Sequence, residues 1–282
     1  MTRPALLAAA LLAAGCTGFE RQSALDPAGT QAGHIRGLWD LYLAVCVAVY
    51  GLVMAAVAFA VARRRGRGGS DLPVTTPPLN EELRKGVVVA VLVGLTVVTL
   101  FVLLVADFLT GRRIDALSDP AALTVEVTGH QWWWEVRYQD PLPANVVTTA
   151  NEIHLPAGRT VRFELKAADV IHSFWVPNLH GKTDMIPGHP TVTYLRADQA
   201  TEPGAPFWGQ CAEFCGHQHA NMRFQVVVHA EEDFQQWLAA ARKPAPEPAT
   251  DSQKRGQQVF LTGTCANCHS IVGTPAGGSG RT

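Results

Sequence analysis

The stretch Gly209-Gln-Cys-Ala-Glu-Phe-Cys-Gly-His-Gln-His-Ala-Asn-Met222 carries the strongest chemical signal in this 282-residue chain. It brings two thiols, an imidazole and a thioether together between Cys211 and Met222. Thiolate, imidazole and thioether ligands together select copper over magnesium, calcium or manganese. Because Cys211 and Cys215 are four residues apart, both sulfurs can face one point and bridge two copper ions. The stretch therefore predicts a dinuclear copper site.

A dinuclear site needs a second imidazole, which a β-barrel would supply from an earlier strand or loop. His172 in Asp169-Val-Ile-His-Ser-Phe174 is the best candidate, because apolar residues flank it. Glu213 lies between the thiols, so its backbone carbonyl can face copper while its carboxylate faces a hard cation such as Mg²⁺. His217 is interpreted as a surface residue.

The competing interpretation of Cys211 and Cys215 is a structural disulfide, which an exported domain permits. His219 and Met222 stand at ligand spacing from the two thiols, and a disulfide has no use for either side chain. The pattern therefore favours a metal site.

The chain around this stretch predicts an all-β domain. Short β-prone runs follow Gly111, separated by Pro, Gly and Asn, and even spacing of this kind is typical of a β-sandwich or barrel. The runs are Leu123 to Thr128, Trp133 to Tyr138, Val161 to Leu165, Thr191 to Leu195 and Phe224 to Val228. Glu231 to Arg242 then predicts one amphipathic helix, with Phe234, Trp237 and Leu238 at helical spacing.

Upstream, two apolar runs at about 38–62 and 86–108 are each long enough to cross a membrane as a helix. The loop between them carries a net charge of +3, which predicts a cytoplasmic loop with the rest of the chain on the outer side. Its charges are Arg63, Arg64, Arg65, Arg67, Arg84 and Lys85 against Asp71, Glu81 and Glu82. The alternative is a pair of buried helices in a soluble core.

Composition agrees with a membrane protein. The chain is 48% hydrophobic and only 17% charged, which is unusual for a purely soluble protein. A formal net charge of -1 gives no polyanion-binding signature, so nucleic acid is excluded as an expected partner.

The N-terminus predicts export. Arg3, an apolar run to Ala14 and a small residue at position 15 have the layout of a signal peptide over residues 1–15. The next residue, Cys16, completes a segment that resembles a bacterial lipobox, in which the cysteine is lipidated. Ordinary cleavage and retention of the segment are the alternatives.

The C-terminus carries a second cofactor motif. Cys265-Ala-Asn-Cys-His269 is a C-x-x-C-H sequence, in which two thiols attach haem c and the histidine ligates iron. With Gly256-Gln-Gln-Val-Phe260 before it, the motif resembles the first helix of a class I cytochrome c. A redox dithiol is the competing interpretation. No methionine follows Met222 to serve as the distal ligand, and residues 251–282 would form about a third of such a domain. A Pro-rich linker, 243–250, precedes them.

Residues 34–242 resemble subunit II of cytochrome c oxidase. Four motifs occur in the order of that family: Gly129-His-Gln-Trp-Trp-Trp-Glu135, Asp169-Val-Ile-His-Ser-Phe174, Lys182-Thr-Asp-Met-Ile-Pro-Gly188 and the run from Cys211 to Met222. The resemblance implies a two-helix transmembrane hairpin (34–110), then a cupredoxin-like Greek-key barrel (115–242), then a partial all-α cytochrome c domain (251–282).

The resemblance also implies the ligands of a dinuclear copper centre, CuA. The implied ligands are the Cys211 and Cys215 thiolates, the His172 and His219 imidazoles, the Met222 thioether and the Glu213 carbonyl. The Glu213 carboxylate would reach a Mg ion at the contact with subunit I, and Trp132 would be the residue at which electrons enter.

The implied function is electron transfer within a haem-copper oxidase of the bacterial inner membrane. Electrons would pass from cytochrome c, by way of the fused haem c, to CuA and on to haem a of subunit I, with subunit III as a further partner and membrane lipid around the helices. Both cofactor domains would face the periplasm. The family pattern Glu-x-x-Trp-Thr is absent before the second helix, so Glu81 and Glu82 both remain candidates for the acid that feeds protons to subunit I.

Two other functions remain open. The same copper centre occurs in a nitric oxide reductase subunit and in nitrous oxide reductase, although the two-helix hairpin disfavours the latter. A membrane-anchored copper chaperone would also use Cys-x-x-x-Cys with a remote histidine. Met222, Trp132 and the haem motif disfavour a chaperone, because it needs neither an electron path nor a haem.

Overall fold

Two long helices precede the β-rich part of the chain. In the computed structural model, α1 spans Thr30–Arg65 and α2 spans Leu79–Asp115. Both are long and apolar enough to cross a membrane, and almost none of their apolar windows is buried. Because a soluble core helix buries its apolar side chains, this exposure disfavours the soluble alternative. At 1.5 Å per residue each helix is about 54 Å long, so it extends beyond the apolar run predicted from sequence.

The structure describes residues 20–65 and 79–277. The predicted signal peptide, Cys16 and the middle of the charged loop lie outside the described residues. The contacts divide the chain into two units, residues 31–118 and a second unit made of residues 1–30 together with 119–282.

The β-rich part is a two-sheet sandwich. The strands are β1 (Leu123–His130), β2 (Trp133–Tyr138), β3 (Val147–Ala150), β4 (Glu152–Pro156), β5 (Thr160–Ala167), β6 (His172–Trp175), β7 (Thr183–Met185), β8 (Thr191–Arg196), β9 (Phe207–Cys211) and β10 (Arg223–His229). One sheet has the strand order β3-β2-β1-β5-β8 and the other β4-β10-β9-β6-β7. All neighbouring strands are antiparallel except β1 with β5 and β4 with β10.

One apolar core joins the inner faces of both sheets. Alternate residues of β1 and β5 are buried, as a strand with one face on the core requires. Aromatic rings fill the centre, where Trp134 contacts Phe174 and Phe224 edge-on at 6.0 and 5.2 Å between ring centroids. Gly209 of β9 pairs with Phe224, and a Cβ at Gly209 would lie 2.2 Å from that ring. Glycine is therefore required in this strand.

Two further helices follow the sandwich. α3 (Glu231–Ala241) agrees with the predicted amphipathic helix and buries Phe234 and Leu238. α4 (Asp251–Thr262) begins with a capping box, in which the Thr250 hydroxyl accepts from the Gln253 amide. Residues 244–249 between them form no helix or strand, and the Ala245 amide donates to the Val272 carbonyl at 2.9 Å. The Pro-rich stretch therefore contacts the C-terminal segment.

Residues 20–29 form a strap across the sandwich, which the sequence did not indicate. Asn178 is fully buried and its side chain holds the middle of the strap at two points, since its Oδ1 accepts from the Ser23 amide at 3.1 Å and its Nδ2 donates to the Asp26 carbonyl at 2.7 Å. Gly29 forms a β-bridge with Ala197. A Cβ at Gly29 would lie 2.8 Å from the carbonyl oxygens of Leu179 and Arg196, so the strap fits only with glycine there.

A pair of histidines lies between β4, β10 and α3. His154 donates from Nε2 to Glu152 at 2.5 Å, and its Nδ1 lies 2.6 Å from Nε2 of His229. Trp237 of α3 stacks on His154, with 3.9 Å between ring centroids, and the backbone amide of His154 donates to the Tyr138 hydroxyl. Burial lowers the pKa of both histidines, and for His229 the neighbouring His154 lowers it further.

We expect this pair to make stability depend on pH. Because the pKa of each imidazole is lower in the folded state, the unfolded chain binds more protons below about pH 6.5, and stability falls as pH falls through that value. The thermal midpoint of the full chain should drop by roughly 3 °C more between pH 7.5 and 5.5 than that of His229→Gln, which corresponds to about 1 kcal/mol. Equal drops in the two proteins would contradict this.

Candidate metal centre

The predicted copper ligands lie at one end of a single sheet. His172 opens β6 and Cys211 closes β9, and these antiparallel strands pair Phe174 with Cys211. The loop after Cys211 carries Cys215, and a 3-10 helix, His219–Asn221, places the second imidazole just before Met222. The Cys211 amide donates to the Met222 carbonyl at 2.9 Å, which closes the loop on itself.

The side chains of the predicted ligands lie close together. His172, Cys211 and Cys215 are all buried, and their ligand atoms lie within 4.8 Å of one another. Within the described ranges, no other group of three His, Cys, Asp or Glu residues approaches this closely. Cys211 Sγ lies 3.8 Å from His172 Nδ1 and 3.1 Å from the Glu213 carbonyl oxygen. Cys215 Sγ lies 3.6 Å from both His219 Nδ1 and Met222 Sδ.

These separations fit donors that share a metal. Sulfur and nitrogen bound to one tetrahedral ion at about 2.3 and 2.0 Å stand roughly 3.5 Å apart. Both cysteines are free, so the structure does not form the alternative disulfide. The donor set of two sulfurs, two imidazoles, a thioether and a carbonyl therefore fits copper.

The pKa values of the two thiols are shifted in opposite directions. Burial alone would raise the pKa of Cys211, but hydrogen bonds with His172, Glu213 and Ser173 outweigh it and lower the pKa to about 7. Burial raises the pKa of Cys215 to about 12, and the charge of Cys211 adds to this effect. The second thiolate forms readily only when a cation offsets the first, which again suits a metal site.

The orientation of His172 is fixed from outside the site. Its Nε2–H donates to Asp169 Oδ1 at 2.8 Å, which leaves Nδ1 facing the thiol. Burial alone would raise the pKa of Asp169, but hydrogen bonds from His172, Val170 and Gln131 hold it below its usual value. The ring lies against Gly129, where a Cβ would be 2.9 Å from His172 Cδ2. Glycine is needed there for close approach.

The remaining residues of the loop point outward. Glu213 and His217 are exposed, and exposure of His217 agrees with its interpretation as a surface residue. Phe214 is 76% exposed beside Glu213, an unusual position for a phenylalanine. The carboxylate of Glu213 is thus free of the buried ligand cluster to which its carbonyl belongs.

Trp132 is half-buried beside the loop that carries Cys215. Its indole N–H donates to the carbonyl oxygen of Cys215 at 3.0 Å. Gly216 makes this contact possible, because a Cβ there would lie 3.3 Å from the indole and its φ of +111° favours glycine. Trp133 stacks instead on His130, with 4.4 Å between ring centroids. The aromatic run is therefore divided between different environments.

The C-x-x-C-H motif lies on the surface after α4. Cys265, Cys268 and His269 are all exposed, and the amides of Cys268 and His269 both donate to the Cys265 carbonyl at 3.1 and 2.9 Å. The three side chains that a haem would need thus occupy one short turn.

Comparison with known proteins agrees with this geometry. Residues 141–230 match the family model described as cytochrome c oxidase subunit II, periplasmic domain. Subunit 2 of the cytochrome c oxidase of Alkalihalophilus pseudofirmus is 33% identical over 270 residues, covering 94% of this chain and 75% of the relative. The chain belongs to the cytochrome c oxidase subunit II family. It is a subunit of a haem-copper oxidase, and membership implies the CuA copper centre.

Two further similarities extend the comparison. Subunit 2 of the Bacillus subtilis enzyme is 31% identical over 271 residues, covering 93% of this chain and 74% of the relative. The crystal structure of the periplasmic domain of subunit II from Bradyrhizobium japonicum is 31% identical and covers 44% of this chain and 96% of that one, with a TM-score of 0.40. Membership in the subunit II family favours an oxidase over the reductase and chaperone alternatives.

The structure adds site residues to which the sequence assigned no role. Asp169, Gln131 and Gly129 all contact the ligand residues, and all three stand inside the motifs quoted above. Asp169 could have been found from the sequence, because it is a carboxylate three positions before the candidate ligand His172. Metal-bound histidines commonly donate their other N–H to a carboxylate. No comparable sequence pattern points to Gln131.

Proposed function

We propose that this chain is the electron-accepting subunit of a cytochrome c oxidase. It takes electrons from cytochrome c near Trp132 and delivers them to haem a of subunit I, where oxygen is reduced with coupled proton pumping. The observation that carries the proposal is the convergence of two buried cysteines with His172, His219 and Met222, each paired at 3.6 to 3.8 Å.

The proposed copper ligands are Cys211 and Cys215 as bridging thiolates, with His172, His219, Met222 and the Glu213 carbonyl. A dinuclear copper centre, when bound, would supply a one-electron relay with low reorganisation. The protein would hold the ligands of this centre rigidly and exclude water from them. Met222 is only 1% exposed and both cysteines only 3%, so water has little access to the donors.

Trp132 is the proposed point of electron entrance, in agreement with the family resemblance. Its indole is partly exposed and is bonded to the backbone of Cys215. A partner at the protein surface would therefore be separated from a thiolate ligand by one aromatic ring, one hydrogen bond and the atoms of a single residue. No other tryptophan of the Trp132–Trp134 run combines exposure with such a contact in the described structure, since Trp134 is fully buried and Trp133 stacks on His130.

The exposed end of the loop is the proposed contact with subunit I. There the Glu213 carboxylate would help bind Mg, for which a carboxylate oxygen is a suitable ligand. Subunit III is a further proposed partner of the assembly.

The C-terminal residues 251–282 are proposed as the start of a fused cytochrome c domain, joined by the linker 243–250. Cys265 and Cys268 would attach haem c and His269 would ligate its iron. Val259 and Val272 are 67% and 57% exposed near this motif. An apolar macrocycle would cover side chains of this kind, which supports the assignment.

We also propose that α1 and α2 anchor the chain in the bacterial inner membrane, with the copper and haem regions on the periplasmic side. Arg63, Arg64 and Arg65 at the end of α1 support this orientation. The signal peptide of residues 1–15 and lipidation of Cys16 remain proposals from the sequence. Glu81 and Glu82 are both proposed as candidates for the acid that feeds protons to subunit I, and Glu81 forms an ion pair with Lys85 at 3.1 Å.

The test is metal analysis with electron paramagnetic resonance on the full chain in detergent. We expect two coppers per chain, a purple colour and the hyperfine pattern of a mixed-valence pair. A single copper with a four-line pattern would overturn the dinuclear assignment. Mass spectrometry of the same sample reports covalent haem and the modification of Cys16.

Replacing Met222 with leucine should leave both coppers bound but shift the reduction potential and slow electron transfer. A weak thioether ligand tunes such a site more than it holds it. Leucine conserves the buried volume, so we expect destabilisation below about 1.5 kcal/mol. Potentiometric titration beside a thermal melt checks this. Loss of copper at an unchanged melt would show that Met222 is a holding ligand.

A further inference from the structure

The ligands of the proposed copper site come from segments far apart in the chain. His172 stands on β6, whereas Cys211 and Cys215 belong to the end of β9 and the loop after it. β6 pairs directly with β9 through Phe174 and Cys211, but Cys215 lies in the loop beyond this pairing, which therefore does not fix Cys215 against His172. The turn between β1 and β2 contacts both the β6 side of the site and the loop of Cys215, and the residue that does so is Gln131.

Gln131 reaches the imidazole side through its backbone. Its N–H donates to Asp169 Oδ2 at 2.7 Å, across 38 residues of sequence. The other oxygen of Asp169 accepts from His172 Nε2 at 2.8 Å. The carboxylate thus has one oxygen on the ligand and one on Gln131, and the direction of the imidazole depends on where Gln131 stands.

Gln131 reaches the thiol side through its side chain. Its Nε2 donates to the carbonyl oxygen of Cys215 at 2.8 Å, across 84 residues. The Trp132 indole donates to the same oxygen at 3.0 Å. A carbonyl oxygen has two lone pairs, so both are used and the backbone of Cys215 is held in two directions. Gly216 leaves the space for this, because a Cβ there would lie 3.2 Å from Gln131 Nε2.

We propose that Gln131 is a positioning residue that sets the separation between the imidazole of His172 and the thiolate of Cys215. The inference rests on the proposed copper site. The side-chain amide of an exposed glutamine in a turn between strands is ordinarily bonded to water, and it then does little to hold neighbouring residues in place. Here the backbone and the side chain of one residue each make a long-range hydrogen bond to a different half of the site, which fixes both halves relative to one turn.

The test compares copper retention in Gln131→Leu with that in Gln218→Leu, in the full chain in detergent. Gln218 is an exposed glutamine of the loop that carries Cys215, and its side-chain oxygen accepts from the Asn221 amide. Loss of an outer hydrogen-bond partner of a metal site commonly costs roughly 10- to 100-fold in affinity. We expect Gln131→Leu to bind two coppers but to lose them about 10-fold more readily to a competing chelator, with a changed hyperfine pattern and an unchanged thermal midpoint of the copper-free protein.

Gln131→Glu tests whether the N–H donor of the side chain matters, and not only its shape. It keeps the length but places an acceptor against the Cys215 carbonyl, so we expect at least as large a loss of retention. Wild-type retention in either Gln131 variant would overturn the inference, as would an equal loss in Gln218→Leu. If the wild-type chain itself binds fewer than two coppers, the proposed function fails, and that result is distinct from a Gln131 variant that matches a two-copper wild type.

Discussion

Replacing Cys215 with serine is expected to abolish the dinuclear copper centre and, with it, oxidase activity. Its sulfur is the atom on which the site converges, 3.6 Å from both His219 Nδ1 and Met222 Sδ. A serine hydroxyl has nearly the same shape, so the fold should persist, but it is a hard donor and does not bridge copper. The loss of copper affinity should exceed the roughly 100-fold that outer partners of a metal site cost.

The matched control is Cys46→Ser. Cys46 is a free, exposed cysteine of α1, outside the site. Copper content, absorption spectrum and oxygen consumption of the assembled oxidase should be normal in this variant and lost in Cys215→Ser. Normal spectra and turnover in Cys215→Ser would show that the bridging role assigned to this thiol is wrong.

Removing the indole of Trp132 should slow reduction of the copper centre on the order of 100-fold, as loss of a well-positioned contact can. Alanine removes the hydrogen bond to the Cys215 carbonyl and the ring that lies partly at the surface. Both coppers should remain, because no proposed ligand is changed. Stopped-flow reduction by cytochrome c measures the rate, and a thermal melt of the same preparation measures the fold.

Trp133→Ala supplies the comparison. This neighbouring ring stacks on His130 and is also half-buried, so the two substitutions remove equal volume from the same turn. We expect near-normal reduction in Trp133→Ala. If Trp132 acted only by packing, its variant would instead lose ~3 to 5 kcal/mol of stability, as truncation of a fully buried ring does, and the folded fraction would be reduced normally.

Much of the fold could be predicted because its signals are local. The five predicted strands correspond to β1, β2, β5, β8 and β10, which are six to eight residues long, and in all of them except β2 buried residues alternate with more accessible ones. The predicted strands missed β3, β4, β6, β7 and β9, which are three to five residues long. In strands this short, pairing partners and not periodicity decide the conformation.

The proposed copper ligands stand out in the sequence for a different reason. Cys211, Cys215, His219 and Met222 are of unusual types at close spacing, so their chemistry can be read without coordinates. Gln131 is the opposite case. A glutamine is common, and its role comes from two hydrogen bonds that span 38 and 84 residues. Only the register of β1 with its neighbours brings those partners together.

The strap of residues 20–29 has a consequence for biosynthesis. The Ser23 amide is bonded to a side chain 155 residues later, and both long helices are made in between. The N-terminal segment must therefore wait, unpaired, until the ribosome has delivered the middle of the sandwich. Closing so long a loop is entropically costly and slow. Fragments that begin after α2 would lack this closure altogether.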